Sequence, residues 1–259
     1  MAVVFSSEFE AVRNIKPIGN NVPDYNTIAK FTYEATNGIQ RLLRIFDKHQ
    51  IKGTFYVGGA TAEKYPQAVR EIAQRGHDVA AHGYQAEPFW MMSRDEEGAF
   101  ISKIVKIIES AIGKRPQGWL TPRGEPSDNT VELIAEKGFT YCWGFQDSDL
   151  PYVVNASGKK LVAVPGSMTT DDAGVIGGFV LPFSASPNDL MTMWKNEFDV
   201  LRSESEKSLR MCVMNSHVFA CGRPAYAKTV DSIMDYVKNS PNVWVTTCLD
   251  LANWWLKHS

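Results

Sequence analysis

Cysteine is scarce: four residues in 259, at Cys142, Cys212, Cys221 and Cys248, with no C-x-x-C spacing. That excludes a disulfide scaffold and the common thiolate zinc sites. Three of the four lie in apolar, strand-like stretches, so buried free thiols in a reducing compartment are expected, and the cytoplasm with them. No apolar run approaches the roughly 20 residues that span a bilayer. The first residues, Met1-Ala2-Val3-Val4-Phe5, carry no basic region and no long hydrophobic segment, so they read as a first strand rather than a signal peptide. A net charge of −2 gives no electrostatic case for nucleic acid or an anionic membrane, and neither is expected as a partner. No G-x-G-x-x-G or P-loop opens a helix, which weighs against a nucleotide site.

What is present is an apolar fraction of 44%, enough for a large core. The length suits one barrel of alternating strands and helices, which commonly runs to about 250 residues. Residues 15–30 read as loop. Apolar positions recur at helical spacing over 36–49, 65–75, 94–112, 130–137, 188–202, 226–238 and 249–257. Strand-like runs fall at 3–5, 54–57, 78–81, 117–121, 139–143, 161–165, 178–181, 210–214 and 243–246. The repeating unit of strand, polar turn and helix argues a parallel sheet covered by helices, and with this many units an α/β barrel, a single domain over 1–259.

Several strands end in chemistry. Val79-Ala80-Ala81 delivers His82, and Gly83 lets the chain turn where a Cβ would obstruct it. Glu8 and Glu10 stand two residues apart on an extended segment and so point the same way. Arg123 follows the strand at 117–121 and offers a fixed fork for a carboxylate or an imide oxygen. His217 ends the apolar strand at 210–214, with an ordinary pKa near cellular pH. In a barrel all of these converge on one mouth, at the C-terminal strand ends. Trp119, Tyr84 and Phe89-Trp90 are expected to wall the pocket, although core packing is the ordinary fate of any one aromatic.

Certain stretches carry a resemblance: Gly38-Ile39-Gln40-Arg41-Leu42-Leu43, Gly53-Thr54-Phe55, Gly76 to Tyr84, Arg115 to Trp119, Asp149 to Tyr152, His217 with Gly222-Arg223-Pro224, and Val243-Trp244-Val245. In order and spacing the chain resembles the polysaccharide deacetylase (NodB-type) superfamily, and most of all its intracellular branch of urate-pathway allantoinases and cyclic imide hydrolases. The resemblance implies a distorted (β/α) barrel. It also implies a first motif of two aspartates, one the catalytic base and one a metal ligand, matched here by Glu8 and Glu10. Metal-binding members have H-x-x-x-H; here His82 is followed four residues on by Ala86, which removes the second histidine and leaves His82 with Glu10, or else Glu87, as metal ligands. The allantoinase branch lacks that histidine too, and its Gly-Trp-x-Thr-x-Arg pattern is matched by Gly118-Trp119-Leu120-Thr121-Pro122-Arg123.

The expectation is therefore a hydrolase of a non-peptide C–N bond in a small cyclic amide, ureide or imide. Glu8 or Glu10 activates water, Arg123 holds the substrate, His217 protonates the departing nitrogen, and His82 positions substrate or binds a weakly held Zn2+ or other divalent metal. A tightly held metal is not expected. The alternatives are a barrel that has lost hydrolysis and acts as a lyase, isomerase or ligand binder, and an N-acetyl-sugar deacetylase. The partner expected is a small-molecule substrate. Phe89, Trp90, Met91 and Met92 would also serve a subunit interface, so a homo-oligomer is expected.

Overall fold

A computed structural model describes residues 1–15, 17, 22–176 and 185–259. Among the described residues nine strands form one sheet: β1 Ala2–Phe9, β2 Thr54–Val57, β3 Asp78–Ala81, β4 Gly118–Leu120, β5 Tyr141–Trp143, β6 Tyr152–Ala156, β7 Lys159–Val164, β8 Met211–His217 and β9 Trp244–Thr246. Their order is β6-β7-β5-β4-β3-β2-β1-β8, with β9 paired to β1. Every pairing is parallel except the β6–β7 hairpin. One edge of β1 carries β8 over residues 2–8; the other is shared by β9 over residues 2–4 and β2 over residues 6–9. The result is the (β/α) barrel that the strand–helix repeat argued, distorted as the resemblance implied.

The twofold alternation of strands decides what lies inside. Val4, Tyr56, Ala80, Leu120, Tyr141, Trp143, Val162 and Val213 form the barrel's inner cluster, closed at the N-terminal end by Cys248, Leu251 and Ala252 of the helix Cys248–His258. Their strand neighbours Val3, Phe5, Phe55, Val79, Trp119, Cys142, Ala163 and Cys212 face outward and pack beneath the helices. All four cysteines are buried and free.

The helices Arg94–Ile112 and Pro187–Glu204 start at capping boxes, Ser93 with Glu96 and Ser186 with Asp189. Thr54–Val57 and Asp78–Ala81 match the expected strands, and the helix Arg94–Ile112 matches its expected span. Several elements were not expected. A helix Tyr25–Tyr33, capped by Asp24, runs through what reads as loop, and a π-helical turn Glu34–Gly38 joins it to Ile39–His49. The strand β6 pairs back on β7 across Ser157-Gly158. The helix Asp172–Ile176 follows β7. The strand expected at 178–181 lies outside the described residues. Among the described residues, no helix is long and apolar enough to cross a membrane.

The inner floor depends on one glycine. Gly118 faces inward beneath the Tyr141 ring, and a Cβ there would overlap that ring. Tyr141 cannot swing away freely, because its hydroxyl donates to the buried Asp78 carboxylate at 2.5 Å. Gly118→Ala is therefore expected to destabilise the fold by about 2–3 kcal/mol, as overpacking does. Thermal denaturation checks this: the midpoint should fall by roughly 5–10 °C. An unmoved midpoint would mean that Tyr141 is not held as described.

Candidate active site

Alternation along β1 brings Glu8 and Glu10 inward, in step with Val4 and Ser6. The same rule brings His82 inward after Asp78 and Ala80, and His217 inward after Val213 and Asn215. Together with Arg123 they line one cavity of about 460 Å3 at the C-terminal strand ends. Five candidate residues scattered over the chain thus meet at one mouth.

Glu8 is the hub. Its Oε2 lies 3.1 Å from His217 Nε2 and 3.3 Å from His82 Nε2. Its Oε1 accepts from Asn215 Nδ2 at 2.8 Å, and Asn215 is itself fixed by Ser6 Oγ, which donates to its Oδ1 at 2.8 Å. Glu10 Oε1 lies 3.3 Å from the same His82 nitrogen, and its Oε2 accepts from Arg13 at 2.6 Å. Behind it, the Glu10 amide donates to Glu34 Oε2 at 3.0 Å. His82 Nδ1 sits 3.1 Å from the Leu120 carbonyl, which turns Nε2 towards both glutamates. Gly83, at φ 54, makes the turn that follows; a Cβ there would overlap Pro122.

His217 is held from behind. Asp172 Oδ1 lies 2.5 Å from His217 Nδ1, and Asp172 Oδ2 accepts from the His217 amide at 2.8 Å and from the Cys221 thiol at 3.0 Å. Asp172 is fully buried. Beside it, Asp171 bridges to Asn215 and accepts from its amide at 3.1 Å. The sequence reading missed this aspartate pair. Its signal was Thr169-Thr170-Asp171-Asp172, a polar run just past β7 that fits neither strand nor helix periodicity.

Electrostatics sort these groups into acids and bases. Burial alone would raise Glu8, but His217 and then His82 outweigh it and hold its carboxyl well below the usual range. Burial likewise opposes the lowering of Glu10 by Arg13 and His82, and loses. Burial would lower His82, yet Glu10 and Glu8 push it up to about 10. His217 is driven well above its ordinary value by Glu8 and Asp172, again against burial. Burial, with Glu10 beside it, pushes Glu34 well above the carboxylate range. Burial lifts Asp171 to about 6.

Glu8, Glu10 and His82 each bring one ligand atom, all within 4.8 Å of one another. Two carboxylates and an imidazole whose other nitrogen is engaged fit a divalent cation with three protein ligands. Ala86 adds no donor. Asp171, Asp172 and His217 also lie within 4.8 Å of one another, but Asp172 is already committed to three donors and suits a cation less well.

The aromatic walls require correction. Trp119 is fully buried and outward-facing, edge-on to Phe89 and Phe139, with its indole N–H donated to Thr121 Oγ1 at 3.0 Å. Phe89 is fully buried beside it. Tyr84 donates its hydroxyl to Glu63 at 2.6 Å and packs on Phe100, away from the cavity. Trp90 is 56% exposed and donates to Glu125 Oε2 at 3.1 Å, so it touches a rim residue without lining the cavity. The indole that does line it belongs to Trp143, stacked on Tyr56 at 5.3 Å. Arg123 stands at the mouth with φ 64, its side chain about half exposed, 3.8 Å from Glu125.

Comparison with known proteins agrees with this geometry. Residues 25–142 match the polysaccharide deacetylase family. A peptidoglycan deacetylase of Helicobacter pylori is 26% identical, over 93% of this chain and 90% of its own length. A putative polysaccharide deacetylase of Mycobacterium smegmatis superposes with a TM-score of 0.88 at 29% identity, covering 99% of this chain and 90% of that one. PuuE allantoinase superposes with a TM-score of 0.89 at 25% identity, with the same coverage of both chains. The family match over 25–142 and these likenesses along the whole barrel bear out the resemblance of the chain to the polysaccharide deacetylase family.

Proposed function

We propose that the protein is a hydrolase of a non-peptide C–N bond, and that its substrate is a small cyclic amide, ureide or imide. The observation that carries this reading is the Glu8–His217–Asp172 line at the base of a cavity of about 460 Å3. An ionised carboxylate faces a protonated imidazole there, a ready division into base and acid. Water held at Glu8 and Glu10 gives up a proton to the Glu8 carboxylate as its oxygen attacks the carbonyl carbon. The carbonyl π electrons move to oxygen, where the Arg123 guanidinium meets the developing charge. The oxyanion's electron pair then re-forms the C=O as the C–N bond breaks, His217 Nε2 passes its proton to the departing nitrogen, and one ring-opened product leaves. The PuuE allantoinase likeness and the Gly118-to-Arg123 pattern support the ring.

The same groups would release acetate from an N-acetyl sugar, and the Helicobacter pylori relative supports that second reading. An NMR-monitored panel separates them: allantoin, hydantoin, dihydrouracil, succinimide, glutarimide and N-acetylglucosamine, each with and without zinc. Ring opening establishes the first reading and acetate release the second. Silence across the panel moves weight to a barrel that has lost hydrolysis.

Glu8, Glu10 and His82 are proposed to hold any divalent cation, weakly. When bound, such an ion would polarise the carbonyl and lower the pKa of water. In its absence the His82 proton occupies the same place between the carboxylates. Ion and proton then compete, so Zn2+ affinity is expected to fall about tenfold per pH unit below about 10, with about one proton released on binding. Calorimetry in two buffers of different ionisation enthalpy measures this. An affinity independent of pH would place the ion elsewhere.

A further inference from the structure

The cavity holding the paired glutamates does not end at its own rim. A second cavity of about 420 Å3 opens beside it, and Thr121, Arg123, Trp143 and Gln146 line both. Beyond this shared threshold the walls turn apolar: Pro126, Val131, Ile134 and Phe145. Val131 and Ile134 stand three apart on the helix Thr130–Glu136 and so share a face. Phe145 follows β5 and leans on Tyr152. Thr130 presents no free hydroxyl there, because its Oγ1 already donates to Glu97 at 2.5 Å. Among the described residues lining the second cavity Arg123 alone is charged, and it stands at the threshold.

The partition between the two rooms is rigid. Trp143 is stacked on Tyr56 with 22° between the planes, and Gly166 lies so close that a Cβ would stand 2.9 Å from the indole. Arg123 and Gly124, which line both cavities, hold left-handed backbone at φ 64 and φ 68. Trp143 thus lines both the cavity of the reacting groups and an apolar room of small-group size.

We propose that the second cavity is a substrate subsite for an alkyl or aryl substituent, so that the preferred substrate is a branched ring rather than a bare one. This rests on the ring-opening reading and narrows it. Arg123 spans the threshold, where it meets the ring's polar edge while the substituent passes beyond Trp143 to Val131, Ile134 and Phe145.

Two measurements test it. By 19F NMR, 4-fluorobenzyl alcohol, the aryl group alone, should broaden in the presence of the protein. It should lose that broadening in Val131→Trp and in Pro126→Trp, which fill the room from opposite sides; two variants guard against one failing to fold. In the second measurement, kcat/KM for 5-benzylhydantoin should exceed that for hydantoin by roughly 10–100-fold, the discrimination an apolar pocket provides. That ratio should fall towards one in Val131→Trp. A fragment that does not bind overturns the subsite whatever the hydantoins do. A fragment that binds, with hydantoin opened and no preference for the benzyl ring, overturns its use by substrate. A fragment expelled by both variants while neither hydantoin opens keeps the apolar room and sinks the ring-opening reading instead.

Discussion

Glu8→Gln is expected to lower kcat/KM on the ring substrate by about a thousandfold, within the range that positioned acid–base groups contribute and equal to about 4 kcal/mol of barrier. Among the described contacts Glu8 is the carboxylate that reaches both histidines, at 3.1 and 3.3 Å. A glutamine oxygen serves either the two imidazoles or Asn215 Nδ2, and its NH2 would then confront Asn215 Nδ2 or the imidazole N–H groups. The substitution therefore removes the base and also the charge that keeps His217 protonated. Glu10→Gln is expected to cost less, because Glu10 divides its carboxylate between Arg13 and His82 and does not reach His217 among the described contacts. Circular dichroism and steady-state kinetics on the two variants decide the matter. If Glu8→Gln kept a third of the activity, the water-activating role would pass to Glu10 or the site would be misassigned.

Much of this site was legible because strands alternate. From Val79-Ala80-Ala81 alone, the side-chain period places His82 on the face of Ala80, and from Val4 it places Glu8 and Glu10 on one face. The same rule, applied to Gly118-Trp119-Leu120, sends Trp119 outward; motif proximity suggested a pocket wall, and periodicity overrules it. The β6–β7 hairpin also had its signal, since Ser157-Gly158 take φ 50 and φ 71, the pair of positive values that tight hairpin turns demand. Asp24 with Thr27 marked the start of the helix Tyr25–Tyr33, but nearby prolines and glycines made the stretch read as loop. Asp171 and Asp172 are different. Long-range links, the parallel bridge from Asp171 to Asn215 44 residues away and Thr170 Oγ1 donated to the Val213 carbonyl, carry them to His217. Local pattern holds no information about such a contact.

The second large effect follows from that missed pair. Asp172→Asn is expected to reduce kcat by roughly a hundredfold to a thousandfold, with KM changed only a fewfold, because Asp172 touches His217 and not the substrate. The carboxylate now accepts three donors: the His217 amide, its Nδ1–H and the Cys221 thiol. An asparagine that turns its NH2 to Nδ1 makes that nitrogen an acceptor, and the ring becomes neutral with its remaining proton on Nε2. Neutral imidazole is a very poor acid towards a departing nitrogen, whereas the imidazolium is a good one. The sign of the pH effect follows. His217 must be protonated to act, so activity is lost as pH rises through its pKa, which Glu8 and Asp172 now hold well above the ordinary value against the pull of burial. Loss of the Asp172 charge lowers that pKa and moves the alkaline limb of the kcat profile to lower pH. A merely structural aspartate would reduce activity without moving the limb, so the profile separates orientation and charge from simple support.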